Sequence, residues 1–304
     1  MLRIDNLTKV YRRGARANDG VSLEVAEGEV IGLLGHNGAG KTTLLHQVVG
    51  LVRPTSGRIV LLGRDPVADP AYARTVCSFQ PQAQAPLTGV TTRQAIEIVG
   101  LIRGGSRRAV RRRTAELLAA LDLEEWADSP GELLSGGVRR LTAFCMAIVE
   151  PGRLVMLDEP TNDVDPVRRR LLREQVRALA ADGRAVVLVT HNIAEAERAI
   201  DRVVVLDHGR VTAAGTPAAL AADREMRLEL ALPGPPPATP AWARDVRRDG
   251  ERLTVGLAPA DAHLAVAWAQ TLTTHFSLNP RSLEDVYVGL TETVEADRDA
   301  ALVP

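Results

Sequence analysis

From Gly35 to Thr43 the chain reads Gly-His-Asn-Gly-Ala-Gly-Lys-Thr-Thr, which fits the spacing G-x-x-x-x-G-K-[ST]. The apolar run Val30-Ile31-Gly32-Leu33-Leu34 precedes it and a helical stretch to Gly50 follows. A buried strand, a glycine loop and a helix in that order form a cradle for phosphate. The glycines let the backbone wrap closely around oxyanions, and N–H groups at the start of the helix donate to them. Gly35, His36, Asn37, Gly38, Ala39, Gly40 and Thr43 thus become candidate phosphate-binding positions. Lys41 supplies a point charge for the β- and γ-phosphates, and the Thr42 hydroxyl is placed to ligate Mg²⁺. The lysine is itself informative. Of the 37 basic residues only Lys9 and Lys41 are lysine, so a chain that otherwise uses arginine makes an exception here.

The rest of the chain supports an α/β reading. Short apolar runs at Leu154–Leu157, Ala185–Val189 and Val203–Leu206 alternate with longer helical stretches, as expected for parallel strands buried on both faces. No such strand run, β-branched and bounded by polar residues, appears between about Thr91 and Val149, and the helical periodicity there predicts an inserted helical subdomain over about 83–150. A proline-rich stretch near 232–240 predicts a semi-rigid linker over 231–243, separating a domain over 1–230 from an α+β accessory domain over 244–304. Within the tail, Asp249-Gly250 signals a hairpin. A helix is expected over about 260–274, then a short strand near Phe276. Ser282-Leu283-Glu284-Asp285 opens a capped helix whose stripe is Leu283, Val286, Tyr287 and Leu290.

Composition removes several classes. The formal net charge is -1, with 37 Lys+Arg against 38 Asp+Glu, which argues against a general nucleic-acid binder. The longest apolar run, Ala143–Val149, falls far short of the about 20 residues that cross a bilayer. No secretory signal is visible at the start. Cys77 and Cys145 are isolated, excluding a disulfide scaffold and a cysteine zinc site and fitting a reducing cytosol. The arginines at 103, 107, 108, 111, 112 and 113 lack interleaved aromatics for base stacking, so they read first as a solvated helix face. The alternative is contact with a membrane partner or anionic headgroups.

Three further motifs follow the phosphate loop in order. Leu134-Ser135-Gly136-Gly137 precedes a helix; Leu154-Val155-Met156-Leu157 ends in Asp158-Glu159; and the strand Val186–Val189 is followed by His191. Together with the loop they resemble the ATP-binding-cassette ATPases over about residues 1–230. That resemblance implies a P-loop NTPase cassette with an inserted helical subdomain, here followed by the small accessory domain. It implies ATP and Mg²⁺ as cofactors, Tyr11 stacking on adenine, Asp158 holding Mg²⁺ and Glu159 as general base. It also implies His191 at the γ-phosphate, and Gln82 as the glutamine that senses it and joins the Mg²⁺ site. Gln80 is the fallback for that last role. Ser135, Gly136 and Gly137 would bind the γ-phosphate of ATP held by a second copy, so the catalytic unit is a homodimer. Two departures stand out. Val138 replaces the glutamine common at the fifth signature position, and Asp163 puts a carboxylate near the dimer seam.

Within the family, Arg53-Pro54-Thr55-Ser56-Gly57 and the closing Ser282-Leu283-Glu284-Asp285-Val286-Tyr287 look like the drug- and polyketide-export ATPases of daunorubicin-resistance type. The resemblance implies a cytoplasmic subunit, peripheral at the inner membrane face, that powers a separate integral-membrane permease and binds no nucleic acid. An importer subunit and a soluble non-transport cassette ATPase are the alternatives.

Overall fold

The structure is a computed structural model that describes residues 1–12, 14–190, 197–220, 226–234 and 237–280. The chain forms two compact units, Met1–Ala214 and Gly215–Pro304.

The first unit is built on two sheets. Strands β1 (Leu2–Val10), β2 (Arg16–Val25) and β4 (Ser56–Leu61) form an antiparallel sheet in the order β2-β1-β4. The second sheet has the order β5-β6-β7-β3-β8-β9. Its members are β3 (Val30–Leu34), β5 (Cys77–Gln80), β6 (Leu154–Asp158), β7 (Ala185–Val189), β8 (Arg202–Asp207) and β9 (Arg210–Gly215). Strands β5, β6, β7, β3 and β8 run parallel. Every residue of β3, β6 and β7 is buried, which is why these strands read as unbroken apolar runs rather than alternating ones. Leu2, Ile4 and Ile59 from the first sheet and Leu33, Met156 and Val187 from the second share one apolar core. Leu44, Leu45 and Val48 of α1 (Lys41–Val48) fill the same core.

Helix α2 (Pro70–Val76) leads into β5. The expected helical insertion lies between β5 and β6, as α3 (Thr92–Ile102), α4 (Arg107–Ala120) and α5 (Gly136–Ile148). Thr91 and Gln94 form a reciprocal capping box at the start of α3. The arginine run divides. Arg103 donates to the carbonyls of Glu150 (2.6 Å) and Cys77 (3.0 Å), tying the insertion to β5. On α4, Arg111 faces Glu97 at 3.8 Å, and Arg112 and Arg113 face Glu116 at 3.6 and 3.4 Å. These exposed pairs contribute little stability. Helix α6 (Pro166–Ala181) follows β6, with Asp165 accepting from the N–H groups of Val167 and Arg168. Cys77 and Cys145 are buried, and loss of solvation pushes both thiols up to about 12.

The second unit contains an antiparallel sheet of order β11-β12-β10-β13: β10 (Met226–Ala231), β11 (Val246–Asp249), β12 (Arg252–Leu257) and β13 (Phe276–Pro280). Asp249-Gly250 makes the hairpin between β11 and β12, with Gly250 at φ 57°. Ala265 and Ala269 of α7 (Ala262–Leu272) pack with Leu228, Leu230, Leu253, Val255 and Leu257. Trp242 meets Trp268 edge-on, ring centres 5.6 Å apart.

The division between units falls earlier than the sequence suggests. A boundary near residue 230 would cut through β10, whose alternation places Leu228 and Leu230 in the small core and which pairs with both β12 and β13. The proline-rich stretch is therefore a connection inside the second unit, between β10 and β11, and not a linker between units. Prolines mark a break in hydrogen-bonded structure, but not whether the break separates domains. The helix expected from Ser282, with Leu283, Val286, Tyr287 and Leu290, lies outside the described residues.

Candidate active site

At the end of β3 the backbone turns into the glycine loop, and two of its glycines are sterically required. A Cβ on Gly35 would lie 2.2 Å from the Leu206 carbonyl oxygen, and one on Gly40 would lie 2.0 Å from that of Ala17. Gly40 also has φ 99°, a left-handed conformation that side chains disfavour. It caps α1 with no side-chain hydrogen bond, so among the described residues no capping side chain competes for the N–H groups opening that helix.

Lys41 is 8% exposed. It curls back over the loop, its Nζ donating to the carbonyls of Gly35 (2.5 Å) and His36 (2.9 Å). Thr42 Oγ1 donates to Asp158 Oδ2 at 2.9 Å, joining the first turn of α1 to the end of β6. These groups border an open cleft of about 280 Å³, lined by Ala17, Asn37, Gly38, Gly40, Lys41, Thr42, Thr43, Gln82, Asp158 and Glu159. Loss of solvation raises the Asp158 carboxyl, partly offset by the Thr42 hydrogen bond, while the Glu159 charge pushes it further up. Burial likewise lowers the Lys41 ammonium, against the pull of Glu159 and Asp158. Both charged forms are held in a setting that disfavours them, one suited to a polyanion with a cation beside it.

Glu159 stands where the chain leaves β6. Its N–H donates to Val189 O at 2.9 Å, and its backbone is left-handed at φ 53°, uncommon for a non-glycine residue. That turn places Glu159, 4% exposed, in the cleft wall beside Asp158.

The two candidate glutamines have different surroundings. Gln82 is exposed on the loop after β5 and lines the cleft. Gln80 is buried, and its Nε2 donates to Arg140 O at 3.2 Å, linking β5 to α5. Tyr11 is 42% exposed at the β1–β2 turn and does not line the cleft, although Ala17 of β2 does. Lys9 Nζ lies 5.2 Å from the Tyr11 ring centre. Ser135, Gly136 and Gly137 start α5, with Ser135 Oγ accepting from Val138 N–H at 3.4 Å, and they too are absent from the cleft wall. They pack instead on the segment after Glu159. A Cβ on Gly137 would lie 2.5 Å from Asp163 O, whereas one on Gly136 would meet Asp163 at 3.5 Å. Val138 is buried, and Asp163, exposed at φ 62°, forms no ion pair among the described residues. His191 lies outside the described residues.

One supporting pair is not evident from the motifs. Asn18 Nδ2 donates to Gly40 O (3.2 Å), and Asn18 Oδ1 accepts from Gln47 Nε2 (2.7 Å), with both side chains fully buried. This bridge fixes the back of the phosphate loop against β2. In the sequence Gln47 is one of two polar residues, with His46, in the stretch Leu44–Val48, and nothing there points to Asn18 as its partner.

A parallel sheet with a glycine loop at the end of one strand and paired carboxylates at the end of another defines a P-loop nucleotide triphosphatase. Residues 18–162 match the ABC transporter family. The chain is 34% identical over 278 residues to a Nod factor export ATP-binding protein I of Burkholderia lata, spanning 90% of this chain and 91% of that one. It is 38% identical over 215 residues to the daunorubicin/doxorubicin resistance ATP-binding protein DrrA of Streptomyces peucetius, spanning 71% of this chain and 65% of that one. Among solved structures, it superposes with TM-score 0.65 and 26% identity on a dimeric ATP-binding cassette in a post-hydrolysis state bound to ADP and Pi, covering 71% of this chain and 98% of that one. The chain belongs to the ABC transporter family, as an ATP-binding subunit that hydrolyses ATP. No helix among the described residues is long and apolar enough to cross a membrane.

Proposed function

We propose that this subunit powers an exporter of a small molecule or drug through a separate integral-membrane permease, working as a homodimer at the inner face of the membrane. The observation that carries this reading is the match to a Nod factor export subunit along 90% of the chain, beyond the cassette and into the second unit. The likeness to a drug-resistance ATP-binding protein supports the same direction of transport, and the dimeric structural neighbour supports the homodimer.

In this proposal the loop amides and Lys41 hold the phosphates. Thr42 and Asp158, with Gln82 in the same cleft, are hard oxygen donors that fit Mg²⁺, which would neutralise charge on the phosphate oxygens when bound. Glu159 accepts a proton from the attacking water, and its turn out of β6 keeps the carboxylate facing the cleft. The γ-phosphate contact is assigned to His191 and the adenine contact to Tyr11. Ser135, Gly136 and Gly137, away from this chain's cleft, serve the ATP of the partner copy.

Glu159→Gln tests the chemistry. It keeps size and polarity while removing the base, so hydrolysis by the purified protein should fall roughly 10²–10⁴-fold with ATP binding retained. A variant that hydrolyses at the wild-type rate rejects the assignment. Transport direction is tested by co-expressing the chain with a candidate permease that co-purifies with it. Substrate accumulation in inverted vesicles on adding ATP is the expected result, and uptake by intact cells would support an importer.

A further inference from the structure

The geometry points to a transition-metal site, of the kind that takes Zn²⁺, formed by His36, Asp207 and His208 outside the cleft wall. His36 belongs to the glycine loop but is not among the residues lining the cleft. Its side chain turns toward Asp207 and His208, at the β8–β9 turn. His36 Nε2 lies 3.0 Å from Asp207 Oδ1, and one ligand atom from each of the three residues lies within 4.8 Å of the others. The two imidazole rings are centred 5.0 Å apart.

The hydrogen bonding of His36 makes the arrangement specific. Nδ1 lies 2.7 Å from Asn37 O; a carbonyl only accepts, so Nδ1 carries a proton. In the neutral ring Nε2 then has a lone pair. That atom is buried and makes no hydrogen bond, although a carboxylate oxygen lies 3.0 Å away. A lone pair facing a carboxylate is repulsive unless a proton or a metal ion lies between them, and the second imidazole of His208 beside the pair supplies the further donor that a metal ion would use. Metal-binding histidines commonly donate the other ring N–H to a carbonyl in this way, which fixes tautomer and orientation. Asp207 is 6% exposed at the end of β8, and the exposed His208 presents a ring nitrogen within 4.8 Å of the ligand atoms of the other two.

Two imidazoles and one carboxylate favour zinc and its neighbours over Mg²⁺ or Ca²⁺, which prefer all-oxygen sites. Three protein ligands leave a fourth position for water. The ion would add a second tie between the phosphate loop and the β8–β9 turn, beside the existing bond from Gly209 N–H to Ala39 O (3.0 Å).

The test is competition for Zn²⁺ between the full-length, nucleotide-free chain and a chromophoric chelator, with excess Mg²⁺ present to occupy oxygen sites. One ion per chain is expected. Asp207→Asn and His208→Asn should each weaken binding at least about tenfold. Asparagine suits the left-handed backbone of His208, at φ 44°, so the turn is kept while the imidazole is lost. His208→Asn should hydrolyse MgATP in metal-free buffer within about twofold of wild type, because the residue lies outside the cleft wall. With Co²⁺ in place of Zn²⁺, visible d–d absorption should appear in the wild type and disappear in both variants. Zinc binding undiminished in both variants, or no binding by the wild type, overturns the assignment.

Discussion

Asp158 and Lys41 show the same burial acting on charges of opposite sign. The Asp158 carboxyl is raised above its ordinary value near 3.9, so between the unfolded and folded values the native state binds more protons than the unfolded one. Stability therefore falls as pH rises through the folded value. Asp158→Asn escapes this loss and can still accept from Thr42. The nucleotide-free variant should melt higher than wild type at neutral pH, with the gap narrowing as the solution is acidified, while Mg²⁺-dependent nucleotide binding is lost. A pH series of thermal melts checks both signs. Lys41→Arg keeps the charge but replaces an ammonium that donates to two loop carbonyls with a planar fork. ATP affinity should fall about ten- to hundredfold, measured by titration. The cleft residues Lys41, Thr42, Asp158 and Glu159 were legible in the sequence because each belongs to a short motif whose flanking strand is also visible. The Asn18–Gln47 bridge was not, because it joins residues from different elements whose meeting depends on tertiary packing.

Glycines at the start of α5 differ in what surrounds them, although adjacent residues look equivalent in sequence. Gly137→Ala pushes a methyl against the Asp163 backbone and should cost about 1–3 kcal/mol, as overpacking does. Gly136→Ala makes only ordinary contact and should stay within about 0.5 kcal/mol of wild type. Denaturant melts of the two variants test this contrast. The strands of the parallel sheet were readable as continuous apolar runs, and the helical insertion as their absence. Strand β10 was not assigned to the tail, since Leu228 and Leu230 alternate over too few residues to show which sheet they join. Only pairing with β12 and β13 decides it.

Across the whole molecule, the position of β10 determines where the chain can be cut. A fragment ending at 215 keeps every described residue of the cleft and should bind ATP as a monodisperse protein. One ending at 231 adds a strand separated from its partners, with Leu228 and Leu230 uncovered, and should aggregate. Size-exclusion chromatography with a nucleotide titration separates the two outcomes. The burial of Lys41 has a further consequence for work on the intact chain. With lysine confined to positions 9 and 41, and Lys41 enclosed in the loop, amine-directed reagents have Lys9 and the terminal amine as their accessible targets. A fluorophore ester or short acylating probe should therefore label the protein at nearly a single side chain. Any slow modification of Lys41 would then report how often the loop opens, and bound nucleotide should suppress it.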